Sequence, residues 1–138
     1  MTERATLESV YRSARYVVDV GCAPASFDIG ERVPQLARQP FALVTAYNPA
    51  DARPTDDGNE RNNERLLARI ERSRIAWLPA RGMSRDEAHV EPSFALFGIS
   101  REDALALAGE FGQAAIVWFD GNTAELAWTE TPGTVADA

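Results

Sequence analysis

The chain has 138 residues and a formal net charge of −7, and all 14 of its basic residues are arginine. This length suits a single domain, and the negative charge argues against a general nucleic-acid or anionic-membrane binder. The absence of lysine excludes Schiff-base chemistry and a P-loop, and Cys22, the one cysteine, allows neither an internal disulfide nor a cysteine-rich metal site. We therefore expect no cofactor.

The composition also indicates a cytoplasmic protein. No apolar stretch reaches the roughly 18 residues of a membrane-spanning helix. The first residues, MTERATLESVYRSARYVVDVG, mix charges where a signal peptide would carry an uninterrupted apolar segment. We expect a partner in solution, with no membrane association.

The first third of the chain predicts a helix and two or three strands. Spacing and β-branching indicate a helix over 6–14 and a strand over 15–20, which GCAPAS then breaks. FDIG is a candidate hairpin partner, and VPQLARQ could hold one turn of helix. FALVTAY, at 41–47, is apolar almost throughout, as is typical of a central strand that is covered on both faces.

The remainder predicts two helices and four strands. Thr55 and Asp56 are candidate N-caps for a helix over 58–72, and Ser100 can cap SREDALALAGEF with Asp103 at the capping-box spacing. The predicted strands are 75–81 and 93–99, joined by a connection over 82–92, and QAAIVWF and TAELAW on either side of the Asp-Gly-Asn turn.

Residues 41–119 thus follow the order β-α-β-β-α-β. This is the split arrangement of ferredoxin-like sheets, extended by an N-terminal helix and strand and by a C-terminal hairpin strand. We predict a two-layer α+β domain over residues 1–130, with a flexible tail over 131–138.

Two asparagines lie on the side of the 58–72 helix that is predicted to be buried. At 100° per residue, Asn59 and Asn63 share one arc with Leu66, Leu67 and Ile70. A buried amide without a partner costs about 1–3 kcal/mol, so both side chains must be bonded. The partner is either backbone near the helix start or a ligand at the helix N-terminus, and the pattern leaves both open.

The predicted topology gathers polar residues at one edge of the sheet. The strand over 41–47 ends where its helix begins, and the strand over 75–81 ends at the same edge. Ligand-binding candidates at this edge are Asn48, Asn59, Asn63, Arg81, Glu91 and Ser93, with His89 beside them.

The segment RDEAHVEPSF contains the candidate reactive groups. DEAH without a lysine-containing phosphate loop does not indicate a helicase, and HVEP without paired cysteines does not indicate a zinc deaminase. His89 and Glu91 alone make a weak metal pair, so we predict no metal site. If the protein is an enzyme, Glu91 is the candidate general base and His89 the second proton carrier. Ser93 lacks the context of an activated nucleophile.

The ordered segments TAYNP, NERNNERLL, EPSF and SREDALALAGEFGQAAIVW resemble the bacterial family known as domain of unknown function 3293, over roughly residues 10–120. The resemblance implies a small cytosolic bacterial α/β protein and carries no agreed activity, cofactor or catalytic residue. The recurrent features of that family fall here on Thr45, Ala46, Asn48, Pro49, Asn59, Asn63, Glu91, Ser93, Phe111 and Gln113. Members often carry an aromatic residue before the Glu-x-Ser segment, where this chain has His89 and Val90.

Three functions are compatible with these observations. The first, which we favour, is a non-catalytic binding or accessory protein, for example a stress-related one, that recognises a small polar ligand or a protein partner at the edge containing Asn48, Asn63 and Glu91. The second is a small hydrolase or proton-transfer enzyme that uses Glu91. The third is a structural subunit of a homo-oligomer that pairs through the strand over 123–129. The oligomeric state is therefore monomer or homodimer.

Overall fold

The computed structural model describes residues 3–20, 23–30, 39–47, 55–86 and 88–129. Within these ranges the chain forms helices α1 Glu3–Ser13, α2 Asp56–Arg72 and α3 Arg101–Glu110, and strands β1 Arg15–Val20, β2 Ala23–Phe27, β3 Phe41–Val44, β4 Ala76–Met83, β5 Val90–Phe97, β6 Ala115–Phe119 and β7 Ala124–Trp128. The predicted site residue Asn48, the tail over 131–138 and most of VPQLARQ lie outside the described residues.

The helix starts follow the predicted capping chemistry. The hydroxyl of Thr55 accepts a hydrogen bond from the Gly58 N–H at 3.1 Å, and the hydroxyl of Ser100 accepts one from the Asp103 N–H at 3.0 Å. Each side chain satisfies a backbone donor that the first helical turn leaves free. The starts of α2 and α3 are therefore fixed locally.

The seven strands form one antiparallel sheet in the order β2-β1-β4-β5-β3-β6-β7. This sheet is strongly curled. The rings of Phe27 in β2 and Phe41 in β3 have centroids 6.1 Å apart, although three strands lie between β2 and β3. The N–H of Gly30, just after β2, donates to the carbonyl of Ala124 in β7 at 2.7 Å. The two outer strands thus meet at this point.

The two faces of the sheet bury different sets of residues. On the helical face, α2 and α3 pack Leu66, Ile70 and Leu107 against the sheet. On the inner face, which the curl encloses, aromatic side chains pack on one another, and the centroids of Phe41 and Phe119 are 4.9 Å apart. Alternation along each strand divides the side chains between these faces.

The α+β class is confirmed, and several predicted strands differ in extent. β3, predicted over 41–47, ends at Val44. β2 includes the APAS that the sequence analysis assigned to a break, because Pro24 is exposed on an outer strand, where a missing N–H costs no ladder bond. β4 extends to Met83 and β5 begins at Val90, so the connection predicted over 82–92 is a short turn. Gly82 and Glu91 are therefore paired strand residues.

Candidate functional site

A cavity of about 480 Å³ lies on the inner face of the sheet, at the end where β3 finishes and β5 begins. Its floor consists of small and aliphatic side chains, among them Leu43, Ala115 and Val117. The last turn of α1 forms one wall through Val10 and Tyr11. This volume lies within the range of about 300–1,000 Å³ that is typical of small-molecule pockets.

Helix α1 is held over this end of the sheet by two aromatic residues. The hydroxyl of Tyr16 donates to the carbonyl of Tyr11 at 2.8 Å. The ring of Tyr11 meets Trp128 of β7 edge-on, with the centroids 6.2 Å apart. Because Tyr16 belongs to β1 and Trp128 to β7, α1 spans the gap between the two sides of the curled sheet. Helix α1 thus covers one side of the cavity, which stays open to solvent elsewhere.

The cavity is lined by polar residue types that are rare in this chain. All three tyrosines of the sequence, Tyr11, Tyr16 and Tyr47, line the cavity, and so does the single histidine, His89. Glu91 lies on the same wall as His89. Groups that can donate, accept or carry a proton therefore converge on one apolar enclosure, which is the usual form of a ligand site.

Register explains why Glu91 and Tyr16 are neighbours. Tyr16 pairs with Gly82 across β1 and β4, and Gly82 pairs with Glu91 across β4 and β5. A side chain at position 82 would meet the Tyr16 ring, since a Cβ there would lie 3.2 Å and 3.3 Å from two ring carbons. Gly82 thus lets the ring of Tyr16 lie across β4 toward Glu91.

The electrostatics of the cavity favour neutral phenols. Burial raises the pKa of Tyr16 well above its ordinary value of 10.0, and the nearby Tyr11 and Glu91 raise it further. Desolvation also raises the pKa of Tyr47, with smaller contributions from the carboxylates of Glu60, Asp56 and Glu91. Glu91 thus acts on two phenols, and both remain hydrogen-bond donors at neutral pH.

Asn63 fixes the rim of the cavity from the helical face. Its Oδ1 accepts from the Ala46 N–H at 2.7 Å, and its Nδ2 donates to the Pro92 carbonyl at 3.0 Å. The Thr45 hydroxyl donates to the same carbonyl at 2.7 Å. One buried amide therefore ties the segment after β3 to β5, on either side of the residues that enter the cavity.

Gln113 positions the segment that carries Tyr47. Its side-chain Nε2 donates to the Tyr47 carbonyl at 2.9 Å, and its own carbonyl accepts from the Thr129 hydroxyl at 2.6 Å. Gln113 is only 5% exposed. It therefore links the chain after β3 to the entrance of β6 and the end of β7.

The turn between β4 and β5 sets the position of His89. The Ser84 N–H donates to the His89 carbonyl at 3.0 Å, and the His89 N–H donates to the Ser84 hydroxyl at 3.1 Å. Ser84 also donates to Asp86, whose pKa is lowered first by this bond and then by the Ala88 N–H. The exposed His89 is thus held at the rim by a well-bonded turn.

The predicted site residues divide between the two faces of the sheet. Glu91, Ser93 and His89 line the cavity. Asn59 and Asn63 are buried on the helical face and are not among the lining residues. Both amides have partners within the protein, which for Asn63 are two backbone groups and, at 3.5 Å, the Thr45 hydroxyl.

Arg81 also lies away from the cavity. It alternates with Ala80 and Gly82, which face inward, and it pairs on the surface with Asp19 at 3.4 Å. Ion pairs between exposed groups contribute little to stability. Asn48 lies outside the described residues.

The tyrosines were not among the site residues predicted from the sequence. Tyr11 lies in α1, Tyr16 in β1 and Tyr47 after β3. A local hydrogen bond joins Tyr16 to Tyr11, whereas the curl of the sheet brings them near Tyr47. Gln113 was named through the family resemblance alone. For Tyr16 the sequence did contain a signal. Side chains alternate along a strand, so Tyr16 and the buried Val17 lie on opposite faces of the sheet, and Tyr16 lies on the inner one.

Among the described residues, no group of three or more His, Cys, Asp or Glu side chains is placed to hold a metal ion. In the same part of the chain, no helix combines the length and the apolar character needed to cross a membrane.

The fold and the cavity together define an α+β protein whose curled antiparallel sheet encloses a pocket of small-molecule size. The chain belongs to the family described as protein of unknown function DUF3293, whose model matches residues 44–116. The matched segment runs from the end of β3 to the start of β6 and includes Asn63, Glu91 and Gln113. No curated protein and no solved structure matches the chain.

Proposed function

We propose that this protein is a non-catalytic binding protein that recognises a small molecule in the cavity of the inner face. One observation carries the proposal: three tyrosines, the single histidine and Glu91 converge on an enclosure of about 480 Å³ with an aliphatic floor. An apolar body and a few directed polar groups are what such a lining recognises. The site differs from the edge predicted from the sequence in that it excludes Asn59, Asn63 and Arg81.

The hydrogen bonds around the rim support recognition. Asn63 and Gln113 hold the backbone on both sides of Tyr47, and the Ser84 turn holds His89. A site whose walls are fixed before the ligand arrives loses less conformational entropy on binding. These bonds therefore favour affinity for a ligand that fits the existing shape.

A second candidate is a proton-transfer or hydrolytic enzyme with Glu91 as general base. The supporting observation is that Glu91 and His89 line the same cavity. A carboxylate and an imidazole within reach of one substrate can serve as base and acid. Turnover that Glu91→Gln abolishes would favour this candidate over simple binding.

We also infer a ferredoxin-like core. Its support is that β3-α2-β4-β5-α3-β6 follow one another along the chain and that their strands lie in the order β6-β3-β5-β4. A cytoplasmic location is consistent with the acidic composition. The alternative of a homodimer that pairs through β7 has the support that β7 lies at the end of the strand order, although its Ala124 carbonyl already accepts from the Gly30 N–H.

A ligand screen with a cavity-blocking variant tests the proposal. Ser93→Leu places a larger side chain inside the cavity, and Ser26→Leu makes the same change at an exposed position of β2. We expect small-molecule hits to raise the thermal midpoint of the wild type and of Ser26→Leu and to leave Ser93→Leu unchanged, because a ligand stabilises only the state it binds. Equal shifts in all three proteins would contradict the proposal.

A further inference from the structure

We infer that the ligand of this cavity is an organic cation, namely a primary ammonium ion that carries an apolar alkyl or aryl group. This inference rests on the proposed function and specifies the chemistry of the same site. It follows from the charge and the aromatic character of the lining as a whole.

The formal charge of the lining favours a cation. Among the described residues that line the cavity, Glu91 is the only one with a negative charge, and none is an arginine, although the chain has 14 basic residues. The described arginines with side-chain partners lie elsewhere, such as Arg81 with Asp19 and Arg85 with Asp28. An anionic ligand would meet a carboxylate in a partly desolvated enclosure, which costs free energy.

The aromatic lining favours the same class. Tyr11, Tyr16 and Tyr47 border the enclosure that Glu91 enters. A ring face attracts a cation through its quadrupole, and phenolic oxygens can accept N–H hydrogen bonds. A phenol with the ordinary pKa of 10.0 is neutral at pH 7, and the raised pKa values of Tyr16 and Tyr47 act in the same direction, so these side chains add no second negative charge.

The remainder of the lining fits an apolar group. Leu43, Ala115 and Val117 form part of the floor of the cavity. They are buried, and their side chains have no polar atom. A primary ammonium can donate to Glu91 while its alkyl or aryl group covers these side chains. Glu91 also interacts within the protein, so the ammonium joins an existing arrangement of polar groups.

Three probes of one shape and different charge test this inference. They are 2-phenylethylammonium, the neutral 2-phenylethanol and the anionic 3-phenylpropionate, titrated calorimetrically into wild type, Glu91→Gln and the surface control Glu125→Gln. Glu125 is exposed and pairs with Arg101 at 3.2 Å, so its substitution changes the net charge equally, away from the cavity. We expect the ammonium to bind wild type and Glu125→Gln at least about tenfold more tightly than the alcohol, because charge-assisted hydrogen bonds are the stronger kind.

In Glu91→Gln this preference should fall by about tenfold, which corresponds to about 1.4 kcal/mol. If the ammonium and the alcohol bind equally, or if the anion binds more tightly, the inference that the ligand is a cation is wrong. The proposal that the cavity binds a small molecule is unaffected by that result. A preference for the ammonium over the alcohol that is unchanged in Glu91→Gln would also overturn the inference. Absence of binding by all three probes would overturn the ligand class, and the library screen with Ser93→Leu would then decide separately on the proposed function.

Discussion

Single side chains at the rim of the cavity have structural roles that the sequence pattern alone did not decide. The amide oxygen of Asn63 accepts from backbone just after β3, and its nitrogen donates to a backbone carbonyl of β5. The alternatives from the sequence were backbone or ligand, and these bonds favour backbone. Asn63 supports the site from behind and takes no part in its lining.

Replacing Asn63 by leucine should therefore lower the free energy of unfolding. The Ala46 N–H would lose its partner in a buried place, at a cost of about 1–3 kcal/mol. The Pro92 carbonyl would keep the Thr45 hydroxyl. Urea unfolding of Asn63→Leu beside Asn62→Leu measures this, since Asn62 bonds only to the guanidinium of Arg65 among the contacts described for its side chain. An Asn63→Leu protein as stable as the control would show that the amide is not structural.

Between elements, the contact of β1 with β4 shapes the cavity. Gly82 is opposite both Tyr16 and Glu91, and its missing side chain makes room for the Tyr16 ring. Tyr16 is 7% exposed and is bonded to the Tyr11 carbonyl, so the ring has little freedom to withdraw.

Gly82→Ala should consequently destabilise the protein by about 1–3 kcal/mol through overpacking. Gly109→Ala is the matched control, because a Cβ at this helical position meets nothing within 4 Å, and it should stabilise α3 by about 0.5–1 kcal/mol. Thermal or urea unfolding of the two variants gives the comparison. A Gly82→Ala protein that gains stability as Gly109→Ala does would mean that the Tyr16 ring moves aside freely.

The elements that local patterns specify were predictable. β3 is a short apolar run, and α2 and α3 begin at side chains that cap them, Thr55 and Ser100. β4 and β5 were predicted too short because Gly82 and the polar residues up to Glu91 look like a connection. In fact Gly82 and Glu91 are strand residues that line the cavity, and the turn lies only between Met83 and Val90.

The sequence predicted the end of the sheet at which the candidate site lies. It did not predict which face of the sheet the site occupies. Topology placed Glu91, Ser93 and Arg81 at the same end of the sheet. Alternation then sends Arg81 to the other face, and the connection predicted over 82–92 concealed that alternation. The curl that brings Tyr11 to Tyr47 depends on contacts between distant strands, which no local pattern records.

For the whole molecule, the tyrosines give stability a dependence on alkaline pH. The unfolded chain releases the Tyr16 proton near pH 10, whereas the folded protein retains it because its pKa is raised. The unfolded state then binds fewer protons, so stability is full below pH 10 and falls as the pH rises above it. The chain has no lysine and arginine does not titrate here, so few other groups contribute.

Between pH 10 and pH 11, Tyr16 should cost about 1 kcal/mol of the free energy of unfolding, because its unfolded pKa lies at the lower end of this range. Urea unfolding at the two pH values measures this loss. In Tyr16→Phe the loss should be smaller, although the variant is less stable at neutral pH without its bond to Tyr11. An identical pH dependence in wild type and Tyr16→Phe would contradict this prediction, because it would mean that the Tyr16 phenol has the same pKa in the folded and the unfolded state.

The proposed ligand site lies on the inner face of the sheet. The most direct measurement is an NMR titration with 2-phenylethylammonium that follows the ring signals of the three tyrosines and of His89 together with the backbone amides of α2. We predict that the ring signals of Tyr11, Tyr16, Tyr47 and His89 change their chemical shifts together as the site fills. The amide signals of α2 around Asn59 and Asn63 should not change. Shifts confined to α2 and Arg81, with the tyrosines and His89 unaffected, would contradict the account and place the site on the helical face.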